Sequence, residues 1–233
     1  VTVQDDPSEH GELRRIAEVY AARDLGSDRQ RGGCPPADLA FIQQVELRLL
    51  RMLARAGIVL EHSAVLDVGC GSGYYLNRLS EFGARRAVGI DLMPERVDAG
   101  RRRYPLLDLH AGSATELPFG DGEFDLVTQF TCLSSVLDLA VRRRIAAEMS
   151  RVVRPDGLII SFDMRPAPML LRFARSVRRD AASPTGSLLP LNRRDLAGLF
   201  PGGVVAAEHP ALHPAIIERI GARPALVGLL GAL

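Results

Sequence analysis

The sequence predicts an α/β protein with a mostly parallel central sheet, helices on both faces and a helical cap at the N-terminal side. Three observations lead there. Between residues 64 and 163, short apolar runs alternate with stretches of helical periodicity, and that alternation builds parallel strands joined by crossover helices. The run Val65-Leu66-Asp67-Val68 passes into Gly69-Cys70-Gly71-Ser72-Gly73, which reads as a buried strand, a tight turn and a helix start. A second run, Ala87-Val88-Gly89-Ile90, ends in Asp91 about 20 residues beyond the glycines.

Taken in order, residues 11–23 read as a short helix and residues 24–36, with Gly26, Gly32, Gly33, Pro35 and Pro36, as a loop. Asp38 caps a helix over 39–56, whose Leu39, Ile42, Val45, Leu49, Leu50 and Leu53 recur at helical spacing. The core follows as strand 64–68, helix 74–82, strand 86–90, helix 94–103, strand 106–110, strand 124–130, helix 138–153 and strand 157–163. A Pro155-Asp156-Gly157 turn separates the last two. Pro166, Pro168 and Pro184 mark 166–190 as an insertion, helical in part over 169–179. A helix starts at Leu191 and stops at Phe200-Pro201-Gly202; Val204 to Ala207 reads as a sixth strand and 214–230 as helical. The expected divisions are a helical cap (1–60), a core (61–165), and an insertion with the last part of the core (166–233).

Composition narrows the function classes. A chain of 233 residues fits one domain, or one domain with a cap, and is long enough for a full core. Its 47% hydrophobic and 24% charged residues are those of a soluble globular protein. The net charge of +1 offers no global field for nucleic acid or a membrane surface, so neither is expected as a partner. All 29 basic residues are Arg. The clusters at 101–103, 142–144, 178–179 and 193–194 read as solvated helix faces, because acids are interspersed nearby. Cys34, Cys70 and Cys132 have neither metal-ligand spacing nor an even framework, so no metal is expected and a reducing cytoplasm fits. Residues 4–15 are polar and mixed in charge, unlike a secretory leader. Glu218, Arg219 and Arg223 interrupt the apolar C-terminal region, so no membrane span is expected.

The glycines and acids carry the chemistry. A glycine turn supplies positive φ and lets a ligand approach the backbone, and the helix after it offers unpaired N–H groups. A carboxylate at Asp91 suits the paired hydroxyls of a ribose. A dinucleotide fingerprint, G-x-G-x-x-G, needs glycine at 74, where this chain has Tyr74. The pattern present, Asp67-x-Gly69-x-Gly71-x-Gly73, resembles motif I of the class I S-adenosyl-L-methionine (SAM)-dependent methyltransferases. Two further stretches resemble the same Rossmann-like family. One is Gly112-Ser113-Ala114-Thr115-Glu116-Leu117-Pro118-Phe119 with Phe124-Asp125-Leu126-Val127, typical of its small-molecule members; the other is Arg154-Pro155-Asp156-Gly157-Leu158-Ile159-Ile160. One position departs from the pattern: Ser113 stands where the family usually has the Asp that holds the adenine amino group.

The resemblance implies SAM as methyl donor and S-adenosyl-L-homocysteine (SAH) as product, with no metal needed. It implies that Gly69, Cys70 and Gly71 cradle the methionine end, with the Gln129 backbone beside it, and that Asp67 meets the amino group and Asp91 the ribose. Ser113 and Ala114 would lie by adenine. A hydroxyl there lacks charge assistance, so apolar walls from Leu92, Met93, Ala114 and Leu117 are expected to hold the ring. Tyr20 either folds over the cofactor or packs on helix 39–56. For a hydroxyl acceptor a base is required, and Asp163 is the first candidate, followed by His213 and His209. Gln129-Phe130-Thr131-Cys132 replaces the Asn/Asp-Pro-Pro-Tyr/Phe tetrapeptide of DNA-modifying members, which favours a small-molecule acceptor. O-methylation comes first, before N- or C-methylation, in natural-product or glycoconjugate biosynthesis. The alternative is a SAM-binding scaffold or regulatory subunit without catalysis. The family closes its sheet with an antiparallel strand that residues 214–230 do not resemble. That strand is expected beyond Leu233 or from a partner, with a homodimer left open.

Overall fold

The computed structural model describes residues 7–26, 36–163, 188–201 and 203. The helix expected over 169–179, the strand at Val204–Ala207, the helix over 214–230, Cys34, His209 and His213 lie outside the described residues. The chain forms two compact units: Val1–Ala22 with Leu60–Val205, and Arg23–Val59 with Ala206–Leu233.

In the first unit the elements are α1 (Pro7–Gly26), β1 (Ala64–Val68), α3 (Tyr74–Glu81), β2 (Arg86–Asp91), α4 (Pro94–Arg103), β3 (Asp108–Ala111), β4 (Phe124–Phe130), α5 (Cys132–Ser135), α6 (Leu139–Val152), β5 (Val153–Phe162) and α7 (Arg193–Leu199). The last four residues of α1, from Arg23 on, and all of α2 (Pro36–Ala56) fall in the second unit's span; Val45, Leu49 and Leu53 of α2 are buried at a spacing of one helical turn.

Among the described residues the sheet has five strands in the order β3-β2-β1-β4-β5, and every pairing is parallel. Steps from β1 to β3 run one way across the sheet and the step from β4 to β5 runs the other. Right-handed crossovers therefore set α3 and α4 on one face and α6 on the opposite one. Both faces being covered, the central strands read as continuous apolar runs: all five residues of β1 are buried, and all of β4 but Phe130. The core joins Leu66, Val68, Val88, Ile90, Phe124, Val127, Leu133, Ile145 and Met149, each worth roughly 1.5–3 kcal/mol of transfer free energy.

Several boundaries differ from expectation for identifiable reasons. α1 begins at Pro7 and is longer than 11–23, because polar contacts described below hold its first turns. β3 starts at Asp108 instead of Leu106, since Leu106 is 92% exposed and Leu107 closes a turn onto the Tyr104 carbonyl. β5 starts at Val153. The Pro-Asp-Gly segment is a bulge inside the strand: Phe124 pairs with Val153 and Leu126 with Leu158, leaving Arg154–Gly157 unmatched. A Cβ on Gly157 would lie 2.6 Å from Val153 Cγ2 and 3.0 Å from the Asp125 carbonyl, so only glycine closes it. The one-turn helix α5 was not expected.

Candidate functional site

The strand order reverses between β1 and β4, and a crevice opens beyond their carboxyl ends. Gly69 (φ 71°), Gly71 (φ 57°) and Gly73 (φ 83°) take the chain over it in the left-handed region. The turn is pinned to β2, with the N–H groups of Gly69 and Cys70 donating to the Ile90 carbonyl at 2.8 and 3.1 Å. Gly69 is also required by space, since a Cβ there would sit 2.8 Å from Cys132 Cβ. The Cys70 side chain packs over Gly89, where a Cβ would meet its sulfur at 2.7 Å.

Two buried carboxylates flank the turn. Asp91 Oδ2 accepts the Gly71 N–H at 2.7 Å and Oδ1 accepts the Met93 N–H at 2.9 Å. Asp67 is 2% exposed and accepts from the Thr128 hydroxyl at 2.8 Å. Burial pushes its carboxyl up to about 7, with the Thr128 hydrogen bond opposing and the Asp91 charge adding to the rise. Burial also pushes the Cys70 and Cys132 thiols well up, so neither is a nucleophile near neutral pH. Among the described residues no cluster of three or more His, Cys, Asp or Glu is set to hold a metal ion.

The end of β4 forms the opposite wall. Gln129, fully buried, spends its whole amide there: Oε1 accepts from the N–H groups of Cys132 (2.8 Å) and Leu133 (3.2 Å), and Nε2 donates to Ser161 Oγ (2.5 Å) and to Asp163. Asp163 also accepts from Ser134 N–H at 2.8 Å and Ser161 Oγ at 2.6 Å. These bonds launch α5 out of Thr131, the non-glycine residue with positive φ (63°) among the described residues. Sparsely populated backbone of this kind persists where surroundings over-determine it, commonly at ligand sites.

α1 supplies a third wall, and it is fixed by polar groups. Glu12, 7% exposed, accepts from Arg15 at 2.7 and 2.8 Å and from the N–H groups of Leu137 and Asp138. Burial raises the Glu12 carboxyl, but the Arg15 hydrogen bond and these N–H groups together hold it below its usual range. Arg15 reaches the Ser135 carbonyl at 2.6 Å, and the Tyr20 hydroxyl meets Ser135 Oγ at 2.7 Å. The Arg96 guanidinium lies 4.5 Å over the Tyr20 ring.

These walls line a pocket that is open to solvent. Of the residues singled out from sequence, Tyr20, Gly69, Asp91, Leu92, Met93 and Ala114 line it. Gly71 and Gln129 are bonded to residues that do, Asp91 and Cys132. Asp67, Cys70, Ser113 and Asp163 are not lining residues; Leu117 is core, its N–H on Glu148 Oε2 at 2.8 Å. Sequence reasoning missed Leu13, Ile16, Arg96, Phe130, Thr131, Cys132, Ser135 and Ile145 in the lining. The spacing of Leu13, Ile16 and Tyr20, three and four residues apart, is a helical stripe that marks the wall-forming face of α1. Arg96 carries no comparable signal in a chain so rich in Arg.

A family model described as a methyltransferase domain matches residues 66–161, the segment from β1 to β5 that holds the glycine turn, both acids and the β4 wall. Residues 66–161 thus form a domain of the class I SAM-dependent methyltransferase type. A Mycolicibacterium smegmatis protein named a probable SAM-dependent methyltransferase is 35% identical over 96 residues, covering 41% of this chain and 36% of the relative. A demethylmenaquinone methyltransferase of Renibacterium salmoninarum is 34% identical over 113 residues, 48% of this chain and 46% of the relative. The chain spans between a third and a half of the length of such curated relatives. The solved SAM-dependent methyltransferase of Mesorhizobium loti shares the fold at a TM-score of 0.53 and 18% identity, over 78% of this chain and 91% of that one. For a methyltransferase of this class the donor is SAM. Its sulfonium already activates the methyl group, so enzymes of that class mainly hold donor and acceptor in line.

Proposed function

We propose that this methyltransferase transfers the methyl group of SAM to a small-molecule acceptor, with an oxygen nucleophile favoured, and releases SAH. The observation that carries the reading is the Gly69–Gly73 turn stapled to Asp91 at the reversal of strand order, opening into a pocket with Leu92, Met93 and Ala114 on its walls. In this reading Asp91 meets the ribose, Leu92, Met93 and Ala114 hold the adenine, and Gly69, Gly71 and the Gln129 backbone receive the methionine end. Asp67 balances the positive amino group. The pocket bears on the acceptor class too. Its α1 wall of Leu13, Ile16 and Tyr20 closes over the crevice, which suits a compact acceptor better than a polymer. Among the described residues no helix is long and apolar enough to cross a membrane. For an oxygen acceptor the reading keeps Asp163 and His213 as candidate bases, and the biosynthesis of a natural product or glycoconjugate in the cytoplasm as the setting.

The test is calorimetric titration of the protein with SAH, with Asp91→Ala in parallel, followed by transfer of labelled methyl from SAM across panels of phenols, sugar hydroxyls and amines. Micromolar SAH binding that the variant loses, with label on a hydroxyl, supports the reading in full. Binding without transfer to any panel moves the chain to a SAM-binding scaffold, and absence of SAH binding by a folded protein overturns the assignment.

A further inference from the structure

The segment from Thr131 to Asp138, which follows β4, brings Thr131, Cys132, Ser135 and Val136 into the lining of the pocket. Three side chains hold its backbone N–H groups. Gln129, on β4, accepts those of Cys132 and Leu133, and Asp163, just after β5, accepts that of Ser134. The third, Glu12, comes from α1 and accepts those of Leu137 and Asp138 at 2.5 and 3.3 Å. Two further bonds from α1 land on Ser135 itself. Arg15 reaches its carbonyl, and Tyr20 meets its hydroxyl. Ser135 Oγ gives its own hydrogen to the Thr131 carbonyl at 2.7 Å, so the Tyr20 phenol is the donor. The sheet thus fixes one end of this wall, and α1 fixes the other.

The same helix meets the pocket directly. Leu13, Ile16 and Tyr20 line it and are only half-buried, so a ligand there removes more of their apolar surface from water. A ligand that gains contacts only when α1 is docked favours the docked state, and whatever loosens α1 weakens the ligand through the same coupling. We propose that Glu12 is a positioning residue for the pocket: it latches α1 to the N–H groups of Leu137 and Asp138, so that docking of the helix, placement of Ser135 and Val136, and ligand binding form one equilibrium. Glu12 is not itself a lining residue and acts through this segment. The proposal rests on the SAM-binding reading above.

The experiment follows amide hydrogen exchange over residues 13–20 of the full chain, with and without saturating SAH, and measures the SAH affinity of variants by calorimetry. In the wild type SAH is expected to slow exchange over 13–20 by about tenfold or more, beyond any slowing in α6. Glu12→Ala is expected to speed α1 exchange in the unliganded protein and to weaken SAH binding by about tenfold. Glu12→Gln keeps an oxygen for the two N–H groups and is expected to recover part of the loss. Glu18→Gln, exposed on the same helix, leaves both measurements unchanged. Should Glu12→Ala fail to fold, Arg15→Met takes its place; it removes the bond to the Ser135 carbonyl and is expected to weaken SAH about threefold. A folded variant whose α1 exchanges faster yet binds SAH as tightly as the wild type makes these contacts structural only, which overturns the coupling and spares the cofactor reading. SAH binding by the wild type without slowing over 13–20 has the same consequence. A folded wild type that binds no SAH overturns both.

Discussion

The Gly71 N–H and the Asp91 carboxylate are joined at 2.7 Å across the mouth of the pocket, while the other carboxylate oxygen holds Met93 N–H. Asp91 is therefore a staple for the glycine turn, beside the ribose contact proposed for it. Asp91→Ala strands two backbone donors at once. It is expected to lower unfolding free energy by about 2 kcal/mol and to weaken SAH binding more than tenfold. Asp91→Asn, with one acceptor oxygen left, is expected to lose about half as much stability. Urea unfolding and calorimetry on the two variants check this; equal stability of Asp91→Ala and wild type would remove the staple.

Gly69 and Gly57 separate backbone strain from crowding. Both have positive φ, 71° and 68°, but a Cβ on Gly57 meets nothing within 4 Å, whereas one on Gly69 meets Cys132 at 2.8 Å. Gly57→Ala is expected to destabilise by about 1 kcal/mol, the left-handed penalty alone. Gly69→Ala adds an overpacking cost for a total of about 3 kcal/mol and abolishes SAH binding. Paired denaturation curves decide it, and similar losses at the two positions contradict the crowding.

Gln129 ties three segments through one amide. Gln129→Leu keeps the volume but removes the acceptor of the Cys132 and Leu133 N–H groups and one of the donors to Asp163. The expected loss is about 3 kcal/mol, with faster amide exchange confined to α5 and the end of β5. A Gln129→Leu protein of wild-type stability argues that the network contributes little.

Asp67 predicts a pH dependence opposite to that of a paired surface acid. Its folded pKa is raised to about 7 from an ordinary 3.8, chiefly by burial, so the folded state binds the proton more tightly than the unfolded chain. Stability is then lost as pH rises through this window and is level above it. Asp67→Asn keeps an acceptor for Thr128 and removes the titration. It is expected to match wild type near the lower limit, to exceed its Tm at about pH 8, and yet to bind SAH more weakly there. Thermal melts across the range test this, and a variant less stable than wild type at the alkaline end excludes it.

What the sequence made legible follows from how local each signal is. The glycine turn, Asp67 and Asp91 sit within one strand–turn–helix unit and its neighbour, and their spacing alone places them at adjoining strand ends. The apolar runs did the same for the order of elements in the core. The wall contributed by α1 was harder to read, because Glu9, Glu12 and Arg15 look like ordinary surface charges until their partners at Thr115, Leu137 and Ser135 are seen. Arg154–Gly157 read as a turn between elements because Pro and Gly mark a turn equally well inside a strand. The Ser113 position was legible as a departure, while the bond from neighbouring Thr115 to Glu9 spans more than a hundred residues of sequence.

The bulge in β5 has a practical use. Its four unmatched residues lie at the entry end of the strand, opposite the carboxyl ends where the pocket opens, and pairing with β4 resumes at Leu158 whatever precedes it. Arg154, Pro155 and Asp156 face solvent. Chain length can therefore change between Pro155 and Asp156 without shifting Ser161 or Asp163, and a peptide tag or fluorophore loop spliced there would report on the enzyme while leaving its chemistry undisturbed.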